Sequence, residues 1–489
     1  MRRVADSDAI WLGVDLGTQG VRVLAVSGAG RVVARSGVPL TSRRDGPQHE
    51  QDPEEWWSAF LRAAVEATRD LDAGRVRGLS VCSTSGTVLF VQETGGDPAR
   101  PVTPALMYDD GRAGAYAERA AADPAPGWAA AGAHPQASWG LAKALWLLDH
   151  HDVPAGARLA HQADLVTSRL VGQPVATDWS HALKSGVDLG AGDWPVETLA
   201  RLGLAPARLP GVVAPGALLG PVSGRAAEIT GIPAGTPVVA GLTDGCAAQV
   251  ASGALAAGAW NFVLGTTLVL KGTTALPVED PTGTVYSHRS PDGVWWPGGA
   301  SSAGAGVLAR EFPDADLAAL DRAAGAYEPA GCLSYPLVGT GERFPFRSPD
   351  AVGFTVGRSA DGAAERYASL LQGVGFVERL SLDHVRALGA PVTGAVTLTG
   401  GATRSAYWSQ IQADILRREI VVPEVTDGAF GMAVVAASTA YPSLSDAAAA
   451  LVRARERFEP RADVSDRFDE TYDRWRAELT ARGWLGAGS

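Results

Sequence analysis

The chain has almost no lysine. Its basic residues are arginine except for Lys143, Lys184 and Lys271. A phosphate loop of the G-x-x-x-x-G-K-[ST] type needs a lysine at a fixed place behind its glycines, and none of the three stands in that context. Cysteine is equally scarce. Cys82, Cys246 and Cys332 lie far apart, which excludes a disulfide framework or a zinc site and fits a cytoplasmic protein. Met1 to Ile10 mixes charges and lacks the apolar run of a leader. Gly245 to Leu270 is uncharged but broken by Gly, Ser, Gln, Asn and Thr, so it reads as buried strand and turn and no membrane partner is expected. A net positive charge is also missing. A net charge of -11 at pH 7 argues against nucleic acid, while leaving open a phosphate-bearing small ligand held by backbone amides and a cation. No G-x-G-x-x-G follows a strand in a βαβ setting, which argues against a dinucleotide-dependent dehydrogenase.

What is present is a globular composition, 46% hydrophobic and 19% charged over 489 residues, long enough for two or three domains. Ile10 to Asp15 is an apolar strand, Leu16 to Gly20 a turn, and Val21 to Val26 a returning strand. Glu54 to Leu71 carries Trp57, Phe60, Leu61, Ala64 and Val65 at helical spacing. The chain then starts afresh. Pro237 to Ala240 is a strand ending at Gly241-Leu-Thr-Asp-Gly245, and Ala259 to Leu264 runs into Gly265-Thr-Thr267 before Leu268 to Lys271 returns. Strand, Gly-Thr turn, strand thus occurs near residue 15 and again near residue 265. The expectation is an N-terminal domain over 10–241 and a C-terminal domain over 242–489, facing a cleft. The tail from Ser443 to Leu485 is expected on the outside of the second domain.

Three turns could carry chemistry. At Asp15-Leu-Gly-Thr-Gln-Gly20 the amides of Gly17, Thr18 and Gln19 and the Thr18 hydroxyl could hold phosphate oxygens, and Asp15 would be tolerated there mainly with Mg²⁺ present. The same residues also suit an ordinary hairpin. Asp244 ends an apolar strand before a helix, where its carboxylate could accept a proton from a substrate hydroxyl or simply cap the helix. Thr399-Gly-Gly-Ala402 lies between a strand and a helix and could seat a flat adenine or ribose, or be a tight turn and nothing more.

In this order the motifs resemble the FGGY carbohydrate kinases, of the actin-like (ribonuclease H-like) α/β superfold, from about Trp11 to Ala440. The most specific stretches are Leu12 to Arg22, Gly241 to Ala248 and Thr399 to Asp414. The resemblance implies ATP as phosphoryl donor, a small sugar as acceptor and Asp244 as catalytic base. It gives Asp15 and Thr18 to Mg²⁺ and phosphate, and Gly265, Thr266 and Thr267 to a second phosphate hairpin. Gly400, Gly401, Ser405 and Gly304 would line the nucleotide pocket.

Departures narrow the acceptor. Where xylulokinases carry Gln-Met-His-Gly, this chain has Ser83-Thr84-Ser85-Gly86, and Tyr108-Asp-Asp-Gly-Arg112 replaces Trp-Asn-Asp. With Thr177 to Lys184 these segments resemble a smaller branch of D-ribulose kinases. That implies a ketopentose, D-ribulose ahead of D-xylulose, meeting Ser83, Thr84, Ser85 and Asp110. Asp109, Asp110 and Arg112 equally suit a structural cluster bridging loops. Kinases for another polyol or sugar, and a sugar-binding regulator without catalysis, remain open at this point, and a homodimer is compatible with the sequence.

Overall fold

The computed structural model describes residues 7–357 and 362–486, which fall into two compact units. The first is built on a twisted sheet in the order Leu218–Pro221, Pro237–Val239, Val76–Ser83, Ile10–Leu16, Gly20–Ser27, Val32–Pro39. Ile10–Leu16 pairs antiparallel with Gly20–Ser27 and parallel with Val76–Ser83. All seven of its residues are buried, as an interior strand covered on both faces must be. On one face the Gly428–Ser438 helix lies directly on the strand. A β-carbon at Gly13 would stand 1.7 Å from the Ala429 carbonyl oxygen, so only glycine allows that approach. The other face takes the Pro53–Thr68 and Gln162–Val171 helices. Pro53–Thr68 starts where Asp52 accepts the Glu54 N–H and Pro53 occupies the first turn, and it buries Trp56, Ala59, Phe60, Ala63 and Ala64.

The second unit repeats the plan. Its sheet includes, in this order, Trp295–Ser301, Leu268–Gly272, Trp260–Leu264, Val396–Thr399, Ile420–Pro423 and Ala454–Phe458. Again a three-stranded antiparallel meander is extended by a strand parallel to the first. The Ala363–Ala387, Ala406–Leu416 and Ala462–Ala481 helices enclose a core that includes Phe262, Phe376, Tyr472 and Trp475. Within it Glu378 is fully buried. Its Oε1 accepts the Gln412 Nε2–H at 2.8 Å, and burial holds its carboxyl well above the usual carboxylate range. Two oxygens there, Glu378 Oε2 and Gln412 Oε1, have no hydrogen-bond partner among the described residues.

The units divide differently from the expected 10–241 and 242–489. The first runs on to Gly253 and also takes Val425–Val452, while the second begins at Ala254. The reason is packing. The Asp244–Ser252 helix lies against Gly428–Ser438, where a β-carbon on Gly431 would meet the Ala247 carbonyl at 2.2 Å. The Leu444–Leu451 helix of the tail accordingly belongs to the first unit, and Ala462–Ala481 to the second.

Candidate active site

In the first unit three neighbouring segments end together. Ile10–Leu16 runs parallel to Val76–Ser83, and Ser83 forms a parallel bridge with Thr243, just beyond Pro237–Val239. Asp15, Ser83 and Asp244 therefore gather at the carboxyl ends of adjacent strands, the edge at which open α/β sheets bind ligands.

Asp15 is only 8% exposed, and its carboxyl is pushed up to about 6 by burial and by the carboxylates of Asp427 and Asp244. Arg22 opposes this with Nη1 at 3.2 Å from Asp15 Oδ2, and the Cys82 thiol donates to Oδ1 at 3.5 Å. Arg22 also stands 4.0 Å from Asp427, the residue capping Gly428–Ser438. One arginine thus faces Asp15 and Asp427, and the negative charge of Asp427 and Asp244 beside Asp15 makes a field that favours an added cation. Among the described residues no group of three side chains could hold a metal alone. The set fits an ion arriving on nucleotide phosphates, which needs one or two carboxylates from the protein.

The hairpin beyond Asp15 is built rather than loose. Gly17 N–H donates to the Gly20 carbonyl at 3.0 Å, and Gln51 Nε2 donates to the Thr18 carbonyl at 2.7 Å. Gln51 Oε1 is itself held by Trp56 Nε1–H at 2.8 Å, which ties Thr18 to the first helix. Asp244 is exposed in the first turn of its helix, and its Oδ1 accepts the Gly245 N–H at 2.7 Å.

The acceptor-side candidates separate. Ser83 Oγ is buried, 2.8 Å from His181 Nε2, and accepts the Ala163 N–H at 3.2 Å. Thr84 Oγ1 bonds Gln162 Oε1 at 2.9 Å and Thr87 Oγ1 at 2.6 Å. Asp110 is 1% exposed and accepts from His49 N–H at 2.8 Å and from the Arg112 guanidinium at 2.8 to 3.1 Å, while Arg112 also pairs with Glu50. Asp109 bonds His49 and Arg44. Ser83, Thr84 and Asp110 are therefore committed within the protein, unlike the sugar contacts expected of them, because each points inward. Ser85 differs. Its Oγ is buried with no hydrogen-bond partner among the described residues. Behind this loop the fully buried Lys143 donates to the carbonyls of Gly86, Tyr108 and Ser138 at 2.7, 2.9 and 3.1 Å.

In the second unit the remaining candidates also gather. Gly265 N–H donates to the Thr267 carbonyl at 3.1 Å, and Ala305 N–H and Gly306 N–H donate to the carbonyls of Gly265 and Thr266 at 2.9 and 3.1 Å. Gly304 presses on this hairpin, where a β-carbon would stand 2.6 Å from the Thr266 carbonyl oxygen. Gly400 has φ +94°, and a β-carbon there would meet the Leu264 carbonyl at 2.4 Å. Gly401 faces open space. Gly401 and Ser405 line a cavity of about 500 Å³ with Ala305, Asp321, Tyr367 and Trp408. Ser405 Oγ caps its helix through Trp408 N–H at 2.9 Å and donates to Asp321 Oδ2 at 2.7 Å. Tyr367 Oη donates to the other Asp321 oxygen at 2.8 Å.

Sequence reasoning missed Asp427, Cys82, Asp321 and His181. Asp427 precedes a helix, as a cap would. Cys82 and Asp321 carry no local signal, because their partners lie far away in the chain, and although His181 has Asp178 three residues before it, its contact with Ser83 is equally distant.

A meander-plus-parallel-strand sheet occurring twice, with acidic hairpin chemistry on one copy and a nucleoside-sized cavity on the other, defines a phosphotransferase of the two-domain actin-like class. Residues 10–251 match the N-terminal domain, and residues 260–440 the C-terminal domain, of the FGGY family of carbohydrate kinases. The chain belongs to that family and is a sugar kinase. It is 33% identical to a xylulose kinase of Streptomyces coelicolor, over 95% of this chain and 94% of that one. It is 26% identical to a gluconokinase of Bacillus subtilis, over 84% of each. The crystal structure of xylulose kinase from Rhodospirillum rubrum superposes with a TM-score of 0.83 at 25% identity, covering 96% of this chain and 98% of that one. Among the described residues no helix is long and apolar enough to cross a membrane.

Proposed function

We propose that the enzyme transfers the γ-phosphoryl group of ATP to a hydroxyl of a ketopentose, D-ribulose ahead of D-xylulose, with Asp244 as general base. The observation that carries the reading is the meeting of Asp15, Asp427 and Asp244 at one edge of the first sheet, with Asp244 exposed at the start of its helix. Asp244 takes the proton of the acceptor hydroxyl. The freed oxygen forms a bond to the γ-phosphorus, the bond from that phosphorus to the bridging oxygen breaks, and ADP leaves. Asp15 would hold Mg²⁺ together with phosphate oxygens, and the ion when bound neutralises charge on the transferring group. The second unit seats the nucleoside over Gly400 and Gly401, beside Ser405.

The ketopentose assignment draws support from the xylulose kinases among the relatives and from Ser85. A buried hydroxyl without a partner is costly, and an acceptor rich in hydroxyls would satisfy it. ADP release with ATP and Mg²⁺ should be stimulated by D-ribulose or D-xylulose and abolished in Asp244→Asn. L-Ribulose, L-xylulose, glycerol and D-gluconate complete the panel. Turnover of gluconate alone would replace the ketopentose with an aldonate. Silence on every sugar, with ATP still bound, would leave a regulator.

A further inference from the structure

Behind the acceptor loop a serine, a histidine and an aspartate are strung together, and the phosphoryl transfer above does not use them. Ser83 Oγ lies 2.8 Å from His181 Nε2, and His181 Nδ1 bonds the carboxylate of Asp178. The order is that of a hydrolase triad. Ser83 and His181 are, however, both fully buried, and Ser83 already accepts the Ala163 N–H, so no electrophile reaches the hydroxyl. The use of the cluster lies in where it leads. Asp178 Oδ1 accepts Ser180 N–H at 2.9 Å, Ser180 Oγ–H at 2.5 Å and His181 N–H at 3.1 Å. Ser180 Oγ in turn accepts the Thr243 N–H at 2.9 Å. Thr243 is the residue before Asp244, it is 1% exposed, and its own side chain makes no capping bond. The other branch arrives at the same place, since Ser83 is the residue bridged to Thr243.

We propose that Asp178, Ser180 and His181 form a positioning relay that fixes the Leu242–Thr243 peptide at the entry to the helix, and with it the placement of the Asp244 carboxylate one residue on. The inference rests on Asp244 being the base. The physical need is plain. A base acts only from the right place, and a displacement near 1 Å is enough to cost roughly 100-fold in rate. Asp178 receives a hydrogen bond from His181 Nδ1 in addition to the three on Oδ1, which leaves that carboxylate little freedom. Burial works against charge on His181, but the Asp178 carboxylate outweighs it and raises the histidine's proton affinity, which keeps Nδ1 protonated toward the carboxylate and Nε2 aimed at Ser83. Removing the Ser180 hydroxyl strands a buried backbone donor next to the base, and removing the His181 ring frees Ser83.

The test compares Ser180→Ala, Ser180→Thr, His181→Phe, Asp244→Asn and Ser180→Ala combined with Asp244→Asn in the full-length enzyme, with ATP, Mg²⁺ and both D-ribulose and D-xylulose as acceptors. Ser180→Ala and His181→Phe should lower kcat roughly 30- to 100-fold while the KM values for sugar and ATP stay within about two-fold. Ser180→Thr should restore most of kcat. The double variant should lose nothing beyond Asp244→Asn alone, because the relay acts only through that residue. An inactive Asp244→Asn beside near-normal kcat in Ser180→Ala and His181→Phe overturns the relay and leaves the base assignment standing. An active Asp244→Asn overturns both. If neither ketopentose is turned over, hydrogen exchange at the Thr243 amide decides. Exchange at least about ten-fold faster in Ser180→Ala supports the relay, and unchanged protection overturns it.

Discussion

Changing Glu378 to Gln should make the second unit more stable, and increasingly so as the pH rises. Glu378 is fully buried between two helices, and burial holds its carboxyl well above the usual range, so the native state keeps a proton that the unfolded chain gives up near 4.5. The unfolded state then binds fewer protons than the native one, and stability falls as pH rises from 4.5 toward the native titration. Each unit of pH over which only the native state keeps the proton costs about 1.4 kcal/mol. Glutamine carries no such cost and keeps the pairing. Its carbonyl accepts from Gln412 Nε2, as Glu378 Oε1 does at 2.8 Å, and its amide donates to the otherwise unpartnered Gln412 Oε1. The gain should grow with pH, by about 1.4 kcal/mol per unit for as long as only the native state keeps the proton. Urea titrations read by hydrogen exchange in peptides from the Ala363–Ala387 and Ala406–Leu416 helices report it locally. A difference that stays flat between pH 5 and pH 8, or that favours glutamate, refutes the reasoning.

Three further outcomes follow from the geometry. Asp244→Asn should lower kcat by about 10²- to 10⁴-fold with sugar binding retained by calorimetry, the range a lost general base produces. Ser85→Ala should raise the melting temperature, worth about 1 kcal/mol from removing an unpaired buried hydroxyl, while lowering ketopentose kcat/KM about ten-fold. Gly13→Ala drives a methyl group into the Ala429 carbonyl and should cost more than about 3 kcal/mol, read as loss of soluble enzyme or a melting temperature many degrees lower.

The parts of this molecule that sequence alone reveals are those whose signals are local. The Ile10–Leu16 strand is a run of apolar residues, the turn after it carries its own glycines, and Asp244 stands where an apolar stretch meets a helix. Ser405 at the start of Ala406–Leu416 belongs with these, since a capping serine has a local cause. What sequence hides depends on distant partners. Nothing around Ser83 says that its hydroxyl turns inward to His181, and nothing around Asp110 says that the His49 N–H reaches it. Gly241 looks like a domain edge because the strand-and-turn pattern starts afresh there, yet the division falls at Gly253, since the helix between them packs on residues much further along.

That return of the chain has a consequence for biosynthesis. The Ile10–Leu16 strand leaves the ribosome early, but Gly428–Ser438, which covers one of its faces, is made only after most of the second unit. At ordinary elongation rates the stretch from Gly253 to Ser438 takes roughly 10 to 40 s to synthesise, and for that interval the nascent first sheet shows bare apolar surface. A ribosome stalled near Glu424 would carry a complete meander without its lid. Such chains should be the ones that chaperones hold, and a fragment ending at Gly253 should aggregate rather than fold.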